Sequence, residues 1–231
     1  MTAGASAAPG RPGDAGRERT GLELAALIAP EEPARDGRLA RGQRTRRTVA
    51  VALMELLRAG DSDPTAKAVA LKAGVSLRLV FHHFADMDDL YQFVAALQLQ
   101  RQWADMPSLS PELSLPTRIV RTVAHRAALF EEIAAVRRAL VCRAPTCPGL
   151  GQALAASDNL FLEDLKRTFA PELTRLPSAS RAEYLGAMDA GTSWEVWDRL
   201  RATSAVPVRV MSLILEALFV GTDLGPTPRP S

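Results

Sequence analysis

Hydrophobic residues recur every three or four positions along most of this chain, which is the period of a helix with one buried face. Val49, Leu53 and Leu57 mark the first such segment, which ends at the Ala59-Gly60 pair. Three shorter segments follow in close succession. The helices predicted for this part of the chain are 42–59, 65–72, 77–83 and 86–103.

Beyond Pro107 the same periodicity predicts five more helices, most of them separated by prolines. No segment alternates convincingly between polar and apolar residues, as a strand would. The predicted fold class is therefore all-α, with about nine helices. The five later helices are expected at Pro116–Phe130, Glu131–Arg143, Leu150–Phe169, Ser180–Ala202 and Ala205–Val220.

Residues 1–41 are rich in Ala, Gly, Pro and Arg and lack a sustained period. We expect a disordered or partly helical arm there, in which Leu22–Ile28 is a candidate short helix. The predicted organisation is this arm, a helical unit at 42–90, and a larger helical body at 91–225.

The charge of the chain is balanced overall but uneven locally. Its 231 residues are 47% hydrophobic, which suits a sizeable core, and its net charge is only +2. Between Arg44 and Phe84, however, seven basic residues face three acidic ones. This local excess is the feature that favours a polyanionic partner.

Other patterns argue against a secreted, membrane-bound or catalytic protein. The start lacks an apolar signal segment, and the most apolar late stretch, 206–220, is too short to span a bilayer. With only Cys142 and Cys147, we expect a reduced, cytoplasmic protein; these two are either core or loop cysteines or, less favoured, a redox pair. No hydrolase, phosphate-binding or metalloprotease motif occurs, so we expect neither enzyme nor cofactor.

The residues from Ala73 to Phe84 predict a tight turn between two short helices. Gly74 tolerates the left-handed backbone that ends a helix, Ser76 caps the next helix, and Val75 can pack on Val80. Two short helices at a fixed angle form a helix-turn-helix, whose second helix enters the DNA major groove. The adjacent His82 and His83 point in different directions and lack a third ligand, so a metal site is not expected.

The segment 46–90 resembles the DNA-binding head of TetR-family transcriptional regulators. The resemblance implies a dimeric regulator, a three-helix head on a helical body, and release of double-stranded operator DNA, as a repressor, when a small molecule binds. The matching positions are Thr65, Val69-Ala70, Ala73-Gly74-Val75-Ser76, Phe81, His83-Phe84 and Leu90.

The candidate DNA-binding residues combine this resemblance with the basic cluster before it. Arg78 is a candidate reader of guanine, with a phosphate contact or a solvated side chain as its alternatives. His83 is expected near the DNA backbone or packed in the core. The full set is Arg44, Arg46, Arg47, Thr65, Ser76, Leu77, Arg78, Leu79, Phe81, His82 and His83.

At four positions this sequence differs from the residues that are usual in the family. Members usually have a small residue at Arg78, Thr, Ser or Ala at Leu79, Tyr at Phe81 and Lys at Met87. Because two phosphate contacts are lost and acids follow Met87, a second hypothesis is a helical sensor or interaction protein whose DNA-binding head has lapsed.

In the body, the resemblance implies that the last two helices form a homodimer interface and that the middle helices enclose an effector pocket. The small residues of 180–202 and the nearly all-apolar 206–220 suit a helix–helix interface, although a large monomeric core is the alternative. The candidate effector-binding residues are Trp103, His125, Phe130, Phe161, Met188 and Trp194, each of which could instead be ordinary core.

Overall fold

The computed structural model describes residues 37–107, 109–203 and 206–220, and these residues are all-α. Residues 1–36 of the predicted arm, including the candidate helix Leu22–Ile28, lie outside the described residues. The helices are α1 (Gly37–Arg58), α2 (Ala66–Ala73), α3 (Leu77–His83), α4 (Met87–Asp105), α5 (Leu115–Arg143), α6 (Pro148–Thr168), α7 (Ala170–Arg175), α8 (Ser178–Gly191), α9 (Trp194–Ala202) and α10 (Pro207–Val220).

The described helices pack around two main hydrophobic cores. The first core joins α1, α2, α3 and the start of α4 to the end of α5 and the start of α6, with Leu53, Val69, Val80 and Leu140 among its buried members. The second core joins α5 to the helices from the end of α6 onward. Helix α5 contributes to both cores. The predicted boundary between residues 90 and 91 stays a prediction; below, the head denotes α1–α3 with the start of α4, and the body denotes the later helices.

The helix boundaries differ from the prediction at several points, and the short helix α7 was not predicted. Helix α1 begins at Gly37, five residues before the predicted start. The predicted break between Phe130 and Glu131 is wrong: α5 is continuous over 29 residues, because no proline or glycine interrupts it and Leu129, Phe130 and Ile133 are all buried. The prediction of one helix at 180–202 is also wrong.

The break between α8 and α9 has a local cause. Thr192 ends α8, and its hydroxyl donates to the carbonyl of Met188 at 2.8 Å. Ser193 then caps α9, its Oγ accepting from the backbone N–H of Val196 at 3.3 Å. This cap turns Trp194 and Trp197 into the second core. Of the described helices, none is long and apolar enough to cross a bilayer.

Buried arginines of α5 connect it to the rest of the body. Arg118 is 3% exposed and forms a two-pronged ion pair with Glu172, at 2.7 and 2.5 Å. It also donates to the backbone carbonyls of Leu113 and Thr168. The guanidinium thus connects α5 to the segment that precedes it, to α6 and to α7. The charge of the buried Glu172 depends on it for neutralisation.

We expect Arg118→Met to lower the free energy of unfolding by about 3–5 kcal/mol, because Glu172 would remain as an uncompensated buried charge. Replacing both residues by Met should recover much of that loss. Urea denaturation of the two variants measures the difference.

The matched control is Lys166→Met, which removes the exposed Lys166–Glu163 pair (2.5 Å) on the same helix bundle. Its effect should stay within about 1 kcal/mol. A single Arg118→Met variant as stable as this control would contradict the role assigned to the buried pair.

Candidate nucleic-acid interface and ligand cavities

The turn between α2 and α3 has the capping geometry that its sequence predicts. Thr65 caps α2 by accepting from Ala68 N–H at 3.2 Å, and Ser76 caps α3 by accepting from Leu79 N–H at 3.1 Å. Gly74 has φ +67°, the left-handed conformation that favours glycine. The backbone thus turns sharply at Gly74 and begins α3 at a fixed angle.

Helix α3 is anchored along one narrow stripe and open elsewhere. Val80 and the following Phe84 are buried in the first core. Leu77 and Phe81, four residues apart, are 42% and 49% exposed. Arg78 and His82 form a second exposed row beside them, and Leu79 is half-buried. The helix therefore presents both apolar and basic side chains on its exposed surface.

The three candidate arginines of α1 are in different surroundings. Arg44 and Arg47 are exposed. The Arg46 guanidinium instead stacks over two aromatic rings, 4.8 Å from the centroid of Phe84 and 4.6 Å from that of Phe93. This cation–π arrangement ties α1 to α3 and α4, so Arg46 has a structural role that its place in a basic cluster did not suggest.

The two histidines also differ. His82 is exposed, whereas His83 is half-buried against α1, where its Cε1 lies 3.8 Å from the position of a Cβ added at Gly42. Burial, together with the charges of His82 and Arg46, lowers the pKa of His83 below its usual 6.5, so its ring is mainly neutral at pH 7. Within the described ranges, no three His, Cys, Asp or Glu side chains form a metal site.

The acidic residues at the start of α4 have internal partners. Asp86 caps the helix by accepting from Asp89 N–H at 2.8 Å, and the Asp89 carboxylate accepts from the N–H of Ala85, the residue before the cap, at 3.0 Å. Asp88 accepts from Arg143 at 3.2 Å. The three carboxylates therefore stabilise the start of the helix.

Arg143 also links the end of α5 to the head. Besides Asp88, its guanidinium bonds Asp63 in the α1–α2 loop and lies 4.2 Å from the ring centroid of Tyr91. The sequence prediction missed this residue. A basic residue in the last turn of a helix was the available signal, but its partners are 55 and 80 residues away along the chain.

The candidate effector-binding residues do not form an open pocket. Trp103 is 54% exposed, and His125 is half-buried. The other four lie in the second core, where the Phe130 and Phe161 rings meet edge to face at 5.2 Å. These four are Phe130, Phe161, Met188 and Trp194.

A buried cation lies among these core residues and was missed from sequence. Arg126 is 1% exposed and donates to the hydroxyl of Thr192 at 2.6 Å and to the carbonyl of Phe161 at 2.6 Å. Burial lowers the pKa of Arg126 to about 10, so it stays charged at pH 7. The sequence offered one signal for its burial: Arg126 lies on the same face of α5 as the apolar residues Val123 and Phe130.

Two of the cavities in the described part of the chain have walls from α1 and α5 together with α4 or α9. One is an open cleft of about 810 Å³, and the other is a smaller cavity of about 230 Å³. None of the six candidate effector-binding residues lines either cavity. The cleft is lined by Arg58, Glu131, Glu132, Ala134, Ala135, Arg138, Trp197, Asp198, Arg201 and Ala202.

The two cysteines do not form a disulfide. Cys142 is exposed on α5, and Cys147 is buried at the start of α6.

No protein-family model matches the sequence, and no curated protein matches it. The fold, however, has solved counterparts. A transcriptional regulator from Rhodococcus sp. Rha1 superposes with a TM-score of 0.63 at 18% sequence identity, over 78% of this chain and 99% of that chain. A protein from Mesorhizobium loti MAFF303099, assigned by its name to the TetR family of transcriptional regulators, gives a TM-score of 0.63 at 19% identity, over 78% and 98%. The chain therefore has the fold of these two regulators, as the resemblance of its head predicted.

Proposed function

We propose that this chain is a transcriptional regulator of the TetR family, a homodimer that binds double-stranded operator DNA and is released from it by a small molecule. The observation that carries the proposal is helix α3, which a capped glycine turn holds with Leu77, Arg78, Phe81 and His82 exposed.

The chemistry of this exposed surface suits the major groove. A guanidinium at Arg78 can donate two hydrogen bonds to guanine O6 and N7. Exposed Leu77 and Phe81 offer apolar contacts of the kind that a thymine methyl group accepts. Arg44, Arg47 and Lys67 are also exposed and are suited to phosphate contacts.

The acidic residues at the start of α4 are compatible with DNA binding. They would favour a sensor or interaction protein that does not bind DNA only if their charge were uncompensated near DNA. Asp88 is paired with Arg143, Asp86 caps the helix, and Asp89 accepts from the N–H of Ala85. Their presence is thus explained by stability, and the alternative becomes one outcome of the DNA-binding test.

Support for a dimer comes from the outer faces of α8 and α10. Met211, Leu215 and Phe219 of α10 are buried in the body core, whereas Leu213 is 53% exposed. On α8, Gly186 has open space around it. A small-residue surface beside an apolar one suits close packing with a second copy across a two-fold axis.

Gly191 has a different role from the one its sequence context suggested. A Cβ added there would come within 2.5 Å of the Ile214 side chain, so this glycine permits the contact between α8 and α10 of one subunit. The exposed small residues left for a partner are Ala182, Gly186, Ala187 and Ala190.

Ligand release would act through a population shift between head arrangements. A small molecule that prefers one arrangement lowers DNA affinity by its differential binding to the two. Because four of the six residues predicted to bind the effector are closed into the core, the effector site is expected at an open cavity.

Binding to the DNA that flanks the gene tests the proposal, measured against random DNA of equal length by fluorescence anisotropy over a range of salt concentrations. We expect a steep negative salt slope and a surplus affinity for the flanking DNA. Equal affinity for both DNAs at every salt concentration would favour the sensor or interaction protein instead.

We expect Arg78→Ala to lower affinity for specific DNA by about 1–3 kcal/mol while changing affinity for random DNA little, since a bidentate guanine contact discriminates by that amount. Arg47→Ala is the matched control, because a phosphate contact should weaken both DNAs alike. If Arg78→Ala also weakened both equally, Arg78 would be a phosphate ligand.

We expect Leu213→Asp to convert the dimer into monomers, because a carboxylate would be buried without a partner at the centre of the interface. Val120 is exposed to a similar extent, 55% against 53%, so Val120→Asp is the matched control and should leave the dimer intact. Sedimentation velocity gives the masses. A wild-type chain that is monomeric at micromolar concentration would contradict the proposed interface.

A further inference from the structure

The smaller of the two cavities lies at the junction of head and body. Its walls come from one face of α1 (Val51, Met54 and Arg58), one face of α4 and one face of α5. The α4 and α5 lining residues are Leu97, Gln98, Arg101, Gln102, Leu129, Glu132 and Ile133.

The interior of this cavity is mainly apolar. Leu129 and Ile133, which are 7% and 5% exposed, line it on the side of the second core, and Met54 and Leu97 line it on the side of the first core. Its volume is about 230 Å³. An apolar cavity of about 150 Å³ already holds benzene, so the space here suits a molecule with a slightly larger apolar body.

The charged groups at the cavity carry a net positive charge. Of the charged side chains that line it, Arg101 and Glu132 form a 2.8 Å ion pair. Arg101 also lies 3.5 Å from the exposed carboxylate of Asp105, which is not part of the lining. Arg58 is exposed and, among the described residues, forms no ion pair or hydrogen bond. The uncompensated charge at the cavity is therefore a guanidinium, which binds carboxylates through paired hydrogen bonds.

Arg58 also lines the neighbouring 810 Å³ cleft, whose other charges are largely paired. Arg138 bonds Asp198 at 2.5 Å, and Arg201 bonds Glu131 at 2.6 Å. The cleft and the cavity share Arg58 and Glu132, and the cleft supplies no competing free cation along its described lining.

We propose that this cavity binds a small monocarboxylate with an apolar body, whose carboxylate pairs with Arg58 and whose body packs on Met54, Leu97 and Ile133. Binding of the acid does not depend on the proposed function; only its expected effect on DNA binding rests on that function. Because Met54 and Arg58 belong to the first helix of the head and Ile133 to the body, a bound acid favours one head arrangement over others.

Isothermal titration calorimetry of the 231-residue chain without DNA tests the site, with phenylacetate and hexanoate as probes and phenylacetamide as the uncharged analogue. We expect both acids to bind with a Kd near or below about 1 mM and the amide to bind at least about tenfold more weakly. Arg58→Gln should weaken acid binding by at least about 10-fold, because the paired, charge-assisted hydrogen bonds to the carboxylate are lost.

Two further variants separate the cavity from the rest of the surface. Val51 is 43% exposed at the cavity wall, so Val51→Trp should fill the space and abolish binding without disturbing the core. Arg121→Gln, at an exposed arginine outside the cavity, should leave binding unchanged. Absence of binding by both acids, or binding that survives both Arg58→Gln and Val51→Trp, would overturn the proposal.

The consequence for DNA is measured separately. Phenylacetate at about ten times its Kd should weaken specific DNA binding by the wild-type chain and not by Arg58→Gln. If the chain bound no specific DNA, the proposed regulator function would be refuted. The calorimetry would still show whether the cavity binds the acids. Normal DNA binding together with failed calorimetry would refute the cavity alone.

Discussion

Helix α5 passes through both hydrophobic cores, and the arrangement of head and body depends on it. Its first half supplies Ile119, Val123 and Phe130 to the body core, and its second half supplies Val136 and Leu140 to the core of the head. A single continuous helix of 29 residues therefore fixes the distance between the two. A break at residue 130 would remove this constraint.

Helix α5 buries three guanidinium groups, and the desolvation of each is unfavourable unless partners offset it. Arg118 offsets its desolvation with Glu172, and Arg137 with Ser157 and Asp158. Arg126 relies on neutral oxygens and on the more distant charges of Asp164 and Asp189. Each guanidinium joins α5 to α6, α7 or the end of α8, so the charges orient the helices that the apolar core merely brings together.

At its other end, α5 reaches the head through Arg143, which pairs with Asp63 and Asp88. Arg46 performs a comparable task within the head by stacking on Phe84 and Phe93. Arg46 was predicted to bind DNA, and no role was predicted for Arg143. Their contacts connect the head to the end of α5 and hold α3 in a defined orientation relative to that helix.

Local chemistry was predictable from sequence, and long-range partners were not. Thr65, Gly74 and Ser76 act on backbone atoms three or four residues away, so α2, the turn and α3 were predicted almost residue for residue. The break at Thr192 had a local signal in the Ser193 cap, but the Arg126 guanidinium that donates to the Thr192 hydroxyl comes from 66 residues away along the chain. The continuity of α5 goes with the burial of Leu129, Phe130 and Ile133, and periodicity alone did not reveal it. The closure of Phe130, Phe161, Met188 and Trp194 into a core likewise could not be distinguished from a pocket by composition.

Selection of bound sequences from a random DNA pool tests the central claim most directly, because it requires a working α3 and a fixed pair of heads together. The account predicts enrichment of an inverted repeat whose half-sites are centred about one helical turn, or a multiple of it, apart. A pool that remains random after repeated rounds would contradict it, since neither the exposed face of α3 nor its orientation by α5 would then serve DNA recognition.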